Sequence, residues 1–312
     1  MSRVAPVFPR LVDPAGVNCS NAPRPMGSTT EGSRVTTARA THGLPQVEFP
    51  GGSNPYVDYQ FIDLLHTLQI PRSSGYDETC FILMGQVKEL LFHALHFELF
   101  NACHQIDGDD VTEALRMLSR AARITAYITQ SWDVLSTITA DGFNEYRDSL
   151  DRASGQLSFM YRHVEFILGN KSERLARAHD NLPHVWPKMK AALESPSLYD
   201  RVIALLARRG HAIDPGALDR DWALPYRHDA SVERAWFDVY REARTGNELY
   251  ELAEALIALD DHISQYRWRH FTSVARIIGD KPGTGGSAGV GWLRHVTDLR
   301  FFPELWTVRT SF

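Results

Sequence analysis

From Tyr56 onward, apolar residues recur three and four positions apart, the period of an amphipathic helix. The pattern runs through YVDYQFIDLLHTLQI, FILMGQVKELLFHALHFELF and ALRMLSRAARITAYITQSWDVL, then FNEYRDSL, QLSFMYRHVEFILG, HVWPKMKAALE and SLYDRVIALLARR. A last helical stretch spans Ser231 to Ile278 and is expected to break near Thr245-Gly246. Strand-like alternation is almost absent. Turn residues punctuate the helices at Pro71 to Gly75, Asp107 to Asp110, Asp214 to Gly216 and Lys281 to Ser287. The pattern predicts an all-α protein with one helical domain over residues 56–312. No repeat with a period of roughly 20 to 50 residues is visible, which argues against a solenoid.

Eight of the sixteen prolines fall before Tyr56, mixed with Ser, Thr and Gly and without hydrophobic periodicity, so residues 1–55 read as a flexible tail or arm. Across 312 residues, 44% hydrophobic and 23% charged side chains are an ordinary globular composition. The net charge of -5 and the pI of 6.2 argue against nucleic acid as the main partner. No apolar run approaches the roughly 18 residues of a membrane span, and the opening MSRVAPVFPR lacks the apolar region of a secretory signal. The expectation is a cytoplasmic protein with no membrane partner. Cys19, Cys80 and Cys103 make neither a CxxC pair nor an even framework, so any metal must be held mainly by His or carboxylate.

Thirteen histidines keep a metal reading open. His93 and His96 are one helical turn apart, although no Glu-x-x-His pair accompanies them. His270 lies on the apolar side of its helix with Ile263, Tyr266, Val274 and Ile277, as a core histidine or as a ligand. The Gly283-to-Ser287 loop, GTGGS, lacks the strand and helix that flank phosphate loops. It fits a helix C-cap and turn, or a backbone kept bare for a flat ligand. Arg147 sits four residues after Phe143, placed either to clamp a carboxylate or to pair with Asp151.

Four stretches taken together resemble the tryptophan 2,3-dioxygenase family of heme proteins, and the resemblance runs from Tyr56 to the C-terminus. They are Tyr56-Val-Asp-Tyr59 with Asp63, Leu65 and Gln69; Asp77-Glu78-Thr-Cys-Phe81-Ile82 with Gln86 and Glu89; Tyr146-Arg147 through Ser154-Gly155 to Glu165; and Trp268-Arg269-His270 with Arg276, the GTGGS loop and Phe302-Pro303-Glu-Leu-Trp306. The resemblance implies a helical fold and a b-type heme whose iron is held axially by His270, fourteen residues before Thr284. It also implies Arg147 on the substrate carboxylate, Thr284 on its ammonium group, and Phe81, Tyr56, Tyr59 and Ser154 lining the pocket. A homodimer or homotetramer is the implied assembly.

The chain departs from that family where the dioxygenases carry a distal His, four residues after the Phe of the second stretch. Gly85 stands there, either to open the pocket or to pack a helix. The third stretch reads Ser154-Gly155-Gln156-Leu157-Ser158 where the family has Ser-Gly-Phe-Gln-Ser, and Tyr266 replaces the Trp one turn before the axial His. These departures look like the heme-dependent L-tyrosine hydroxylases of antibiotic biosynthesis. The leading expectation is therefore hydroxylation of L-Tyr to L-DOPA with hydrogen peroxide, or O2 plus reductant. A tryptophan 2,3-dioxygenase forming N-formylkynurenine is the alternative, and a non-enzymatic heme protein a third. With no distal His at Gly85, His93 is the expected proton-transfer group, about 12 Å further along the helix, with His96 as its alternative.

Overall fold

Every regular element among the described residues, 30–49, 54–244 and 246–312 of the computed structural model, is helical. In chain order the α-helices are α1 (Glu31–Ala40), α2 (Pro55–Gln60), α3 (Ile62–Leu65), α4 (Glu78–Asp107), α5 (Val111–Leu135), α6 (Ala140–Tyr146), α7 (Phe159–Leu168), α8 (Glu173–Ala176), α9 (Trp186–Glu194), α10 (Leu198–Arg208), α11 (Pro215–Leu218), α12 (Ala230–Arg241), α13 (Glu248–Ile278), α14 (Val290–Thr297) and α15 (Pro303–Thr307). Two units divide the chain, one ending at Ile70 and the other spanning Pro71–Phe312.

In the first unit, part of the expected arm is helical. The Thr30 side chain accepts the Ser33 amide at 3.2 Å and starts α1, which buries none of its residues. Residues 1–29 lie outside the described residues. Asn54 caps α2, with Pro55 in the first turn where its missing N–H costs nothing. The single helix expected over 56–70 is broken at Phe61, whose φ of 54° is left-handed, and the chain restarts as α3.

The second unit is built on three long helices. α4 and α5 form a hairpin turned by Gly108, Asp109 and Asp110, and α13 packs along α5. Leu95, Leu99, Ala102 and Ile106 of α4 meet Leu118, Ala121 and Ile128 of α5 and Leu252, Leu256 and Leu259 of α13 in the core. The expected break between Ser231 and Ile278 is present: α12 stops at Arg241, and the Asn247 side chain restarts the helix by accepting the Leu249 and Tyr250 amides. Thr245 itself lies outside the described residues. The closing Phe302–Trp306 stretch locks the fold: Trp306 Nε1 donates to Asp260 of α13 at 2.8 Å, and Glu304 accepts from the Tyr199 and Tyr226 hydroxyls at 2.8 and 2.7 Å. No helix among the described residues is long and apolar enough to cross a membrane.

Candidate heme and substrate site

A cavity of about 850 Å³ lies within the second unit, a size usual for cofactor and small-ligand sites, with one wall of helices and one of loops. On the helix wall, α4 contributes Phe81, Gly85, Lys88, Glu89 and Phe92, the three- and four-residue spacing that puts side chains on one face. A Cβ added at Gly85 would meet nothing within 4 Å, so this glycine opens space and makes no helix-packing contact. From α13 come Tyr266, His270, Val274 and Ile277, on the face that the apolar period marks.

The His270 ring stacks on Trp132 of α5, with centroids 4.4 Å apart and planes 16° from parallel. Burial, and then the nearby Lys88 charge, depress its pKa to about 3, which keeps the imidazole neutral at physiological pH. No hydrogen bond engages the ring among the described residues. The Tyr266 ring lies 6.1 Å from it, tilted, without a hydrogen bond between the two side chains. Lys88 holds its Nζ 3.7 Å from the Trp132 ring centroid, and burial pushes its pKa down to about 7.

The loop wall is pinned by hydrogen bonds between distant segments. After α6 the chain tightens into a 3₁₀ turn, Arg147–Leu150, and Arg147 Nη2 donates to the Pro282 carbonyl at 2.7 Å. Its Nη1 is buried without a partner, and no ion pair joins it to Asp151 among the described residues. Thr284 Oγ1 donates to the Ala153 carbonyl at 2.6 Å, and Gln156 Nε2 donates to the Gly285 carbonyl at 3.2 Å. A Cβ at Gly285 would fall 2.7 Å from Ser154 Cβ and from Gln156 Nε2, so the close approach of the two loops requires glycine there.

The structure thus brings Phe81, Gly85, Arg147, Ser154, His270 and Thr284 to one cavity. It does not bring His93 or His96 there, which corrects their placement as proton-transfer groups. α4 runs on through Gly85 as a regular helix, so both histidines lie beyond Phe92, which packs on Tyr161 and Tyr266 at the cavity's edge. His93 is exposed, and His96 meets the His163 ring of α7 at 5.4 Å. Tyr56 and Tyr59 are exposed on α2 in the first unit, whereas the cavity is walled by the second. Sequence reasoning missed Lys88 and Trp132. Lys88 is three residues after Gly85 and so on the same helical face, a signal that was available.

A neutral imidazole with no protein partner, on the wall of a largely apolar cavity of this volume, fits a heme b that His270 would hold. The same cavity is lined by a guanidinium with an idle nitrogen and by aromatic side chains. The class is that of heme-dependent aromatic amino-acid oxygenases. The sequence profile of tryptophan 2,3-dioxygenase matches residues 41–312. Tryptophan 2,3-dioxygenases similar to the chain include those of Burkholderia multivorans, 40% identical over 92% of this chain and 97% of the relative; Burkholderia pseudomallei, 42% identical over 95% of each; and Burkholderia mallei, 45% identical over 83% of this chain and 85% of the relative. The chain belongs to the tryptophan 2,3-dioxygenase family, and its cofactor is heme b.

This finding overturns the tyrosine-hydroxylase expectation, and L-DOPA, an antibiotic pathway and peroxide go with it. Relatives 40–45% identical over most of the chain are named for the tryptophan activity. Gly85 leaves the cavity open by one side chain and supplies no group that would read a phenol.

Proposed function

We propose that the protein is a tryptophan 2,3-dioxygenase, adding both atoms of O2 across the 2,3-bond of the indole to give N-formylkynurenine. The observation that carries this reading is Arg147 Nη1, a buried donor without a partner beside a cavity lined by Phe81, Phe143 and Tyr146. Heme supplies, when bound, the iron centre at which O2 is activated. The chain's own residues position the substrate. Arg147 takes its carboxylate in a charge-assisted pair, and the Pro282 carbonyl holds the other guanidinium nitrogen in place. Thr284, itself anchored on Ala153, offers its hydroxyl oxygen to the ammonium group. The aromatic side chains hold the indole and exclude water. Position 85 contributes no proton acceptor, so any proton that leaves the indole nitrogen must go to another group or to the oxidant.

For assembly, the exposed Tyr56, Tyr59, Phe61 and Leu64 of the α2–α3 segment and Ile70 after it support association with further copies of the chain. A molar mass from light scattering tests this: the monomer mass would refute it.

The activity test is a product assay with heme-loaded protein, O2 and L-Trp, read by mass spectrometry. N-formylkynurenine is the expected product, and tryptamine, which has no carboxylate, should react poorly. Arg147→Ala should weaken L-Trp binding by about 1.5–3 kcal/mol, the range for hydrogen bonds to charged groups, with heme content unchanged. Equal use of tryptamine and L-Trp would remove Arg147 from the site. No product from L-Trp would overturn the activity.

A further inference from the structure

Lys88 lines the cavity one helical turn beyond Gly85. Its ammonium rests 3.7 Å from the Trp132 ring centroid, the same ring that stacks on His270. Neighbouring Glu89 is engaged by Ser158, and no carboxylate lies within ion-pair distance of Lys88 among the described residues. The other buried cations on this cavity are already committed: Arg162 and Arg267 both pair with Glu165, and Lys171 Nζ donates to the Ala192 and Ser195 carbonyls at 2.6 and 2.8 Å. A buried ammonium whose close contact is a ring face carries a desolvation cost that an arriving anion would relieve. The depressed pKa of Lys88 agrees: burial pushes it down, and the nearby Glu89 charge offsets only part of that.

The anion with the right chemistry is a carboxylate, and two sources could bring one into this cavity, the heme and the amino acid. Arg147 Nη1 stands free on the loop wall for the amino acid. Lys88 stands on the helix wall, its ammonium against the ring that stacks on His270. We propose that Lys88 is a heme-anchoring residue that pairs with a propionate carboxylate of the cofactor. This rests on heme occupying the cavity through His270, and not on which amino acid is oxidised.

The test measures heme loss from the holoprotein to excess apomyoglobin, followed by the Soret band. Lys88→Met, which keeps the length and apolar stem, should lose heme at least roughly tenfold faster than wild type, as removal of one charge-assisted hydrogen bond implies. Lys88→Arg, which keeps the cation, should restore most of the retention. Wild type and Lys88→Met loaded with the dimethyl ester of heme should release it at the same rate, because that cofactor has no carboxylate to lose. If Lys88→Met does not fold, the wild-type comparison stands alone, and equal release of heme and its dimethyl ester refutes the proposal. Equal heme loss by wild type and Lys88→Met also refutes it, as does a difference that persists with the ester. In parallel, L-Trp and tryptamine are titrated into both proteins. A Lys88→Met defect confined to L-Trp binding would assign Lys88 to the substrate carboxylate and overturn the propionate assignment. Failure of Lys88 leaves heme content and the Arg147 effect intact, whereas failure of the heme site itself would show in wild type.

Discussion

Along α4, the stretch from Phe81 to Phe92 and the stretch from Leu95 to Ile106 carry a similar apolar period, yet the first faces a cavity and the second a packed core. In the second stretch Leu99, Ala102 and Ile106 are fully buried against α5, α7 and α10. One of its two histidines, His96, packs against His163 of α7 with ring centroids 5.4 Å apart. In the first stretch a glycine replaces bulk, and a lysine and a glutamate line the empty space. Periodicity reports which face of a helix leaves water. It does not report whether that face meets side chains or a space kept for a cofactor.

The comparison breaks most completely at His270, which lines the same cavity as Gly85. His270→Ala should abolish heme binding and the Soret band. A variant that kept full heme and an unchanged spectrum would show that the first stretch of α4 faces something other than a heme site. Next in size is Leu99→Ala in the packed stretch, expected to destabilise the protein by about 2–5 kcal/mol through the cavity it leaves. Heme stoichiometry should stay at the wild-type level. A large change in heme content at permissive temperature would erase the distinction between the two stretches.

Acid sharpens the contrast. Burial, first of all, lowers the pKa of His96 to about 4 and that of His163 to about 3, from an ordinary 6.5. Both are depressed on folding, so the unfolded chain takes up protons first. The stability is fully present above about pH 6.5 and is lost as pH falls toward 4 and 3. Between pH 7 and pH 5 each histidine should cost roughly 2 kcal/mol of stability. Denaturant unfolding at the two pH values checks this, and His163→Gln should flatten the dependence. An identical slope in that variant would mean that the His96–His163 contact does not govern acid stability.

The smallest effect is expected at Gly85. Gly85→Ala adds a methyl group into open space within a helix and should raise stability by up to about 1 kcal/mol. Heme should be retained, and the melting temperature should rise slightly. A fall in stability would mean that the wall is tighter there than the cavity implies.

The local elements were readable because they rest on local physics. Hydrophobic period marked the long helices, and turn residues marked the breaks, including the one before Asn247. The helix across Phe61 was not readable: a left-handed residue interrupts an apolar period that runs straight through it, and Phe is an unusual residue to adopt that conformation. Within the site, single residues with an unusual pattern, His270, Arg147 and the GTGGS loop, stood out in the chain and meet in the cavity. The roles expected of His93 and His96 rested on residue type alone. Direction along the helix axis, which carries them past Phe92, is a property of the packed helix.

By itself, then, the sequence determined the helical class, the position of the long helices, and membership of a heme-oxygenase family. Each is written in spacing along one strand of chain. Tertiary structure alone decided that Gly85 opens space instead of packing a helix, that Trp132 carries both His270 and Lys88, and that Arg147 leans on Pro282 with one nitrogen left idle. These depend on contacts between residues 44 to 138 positions apart, and the distance between such residues is set by how helices pack and not by the residues that lie between them.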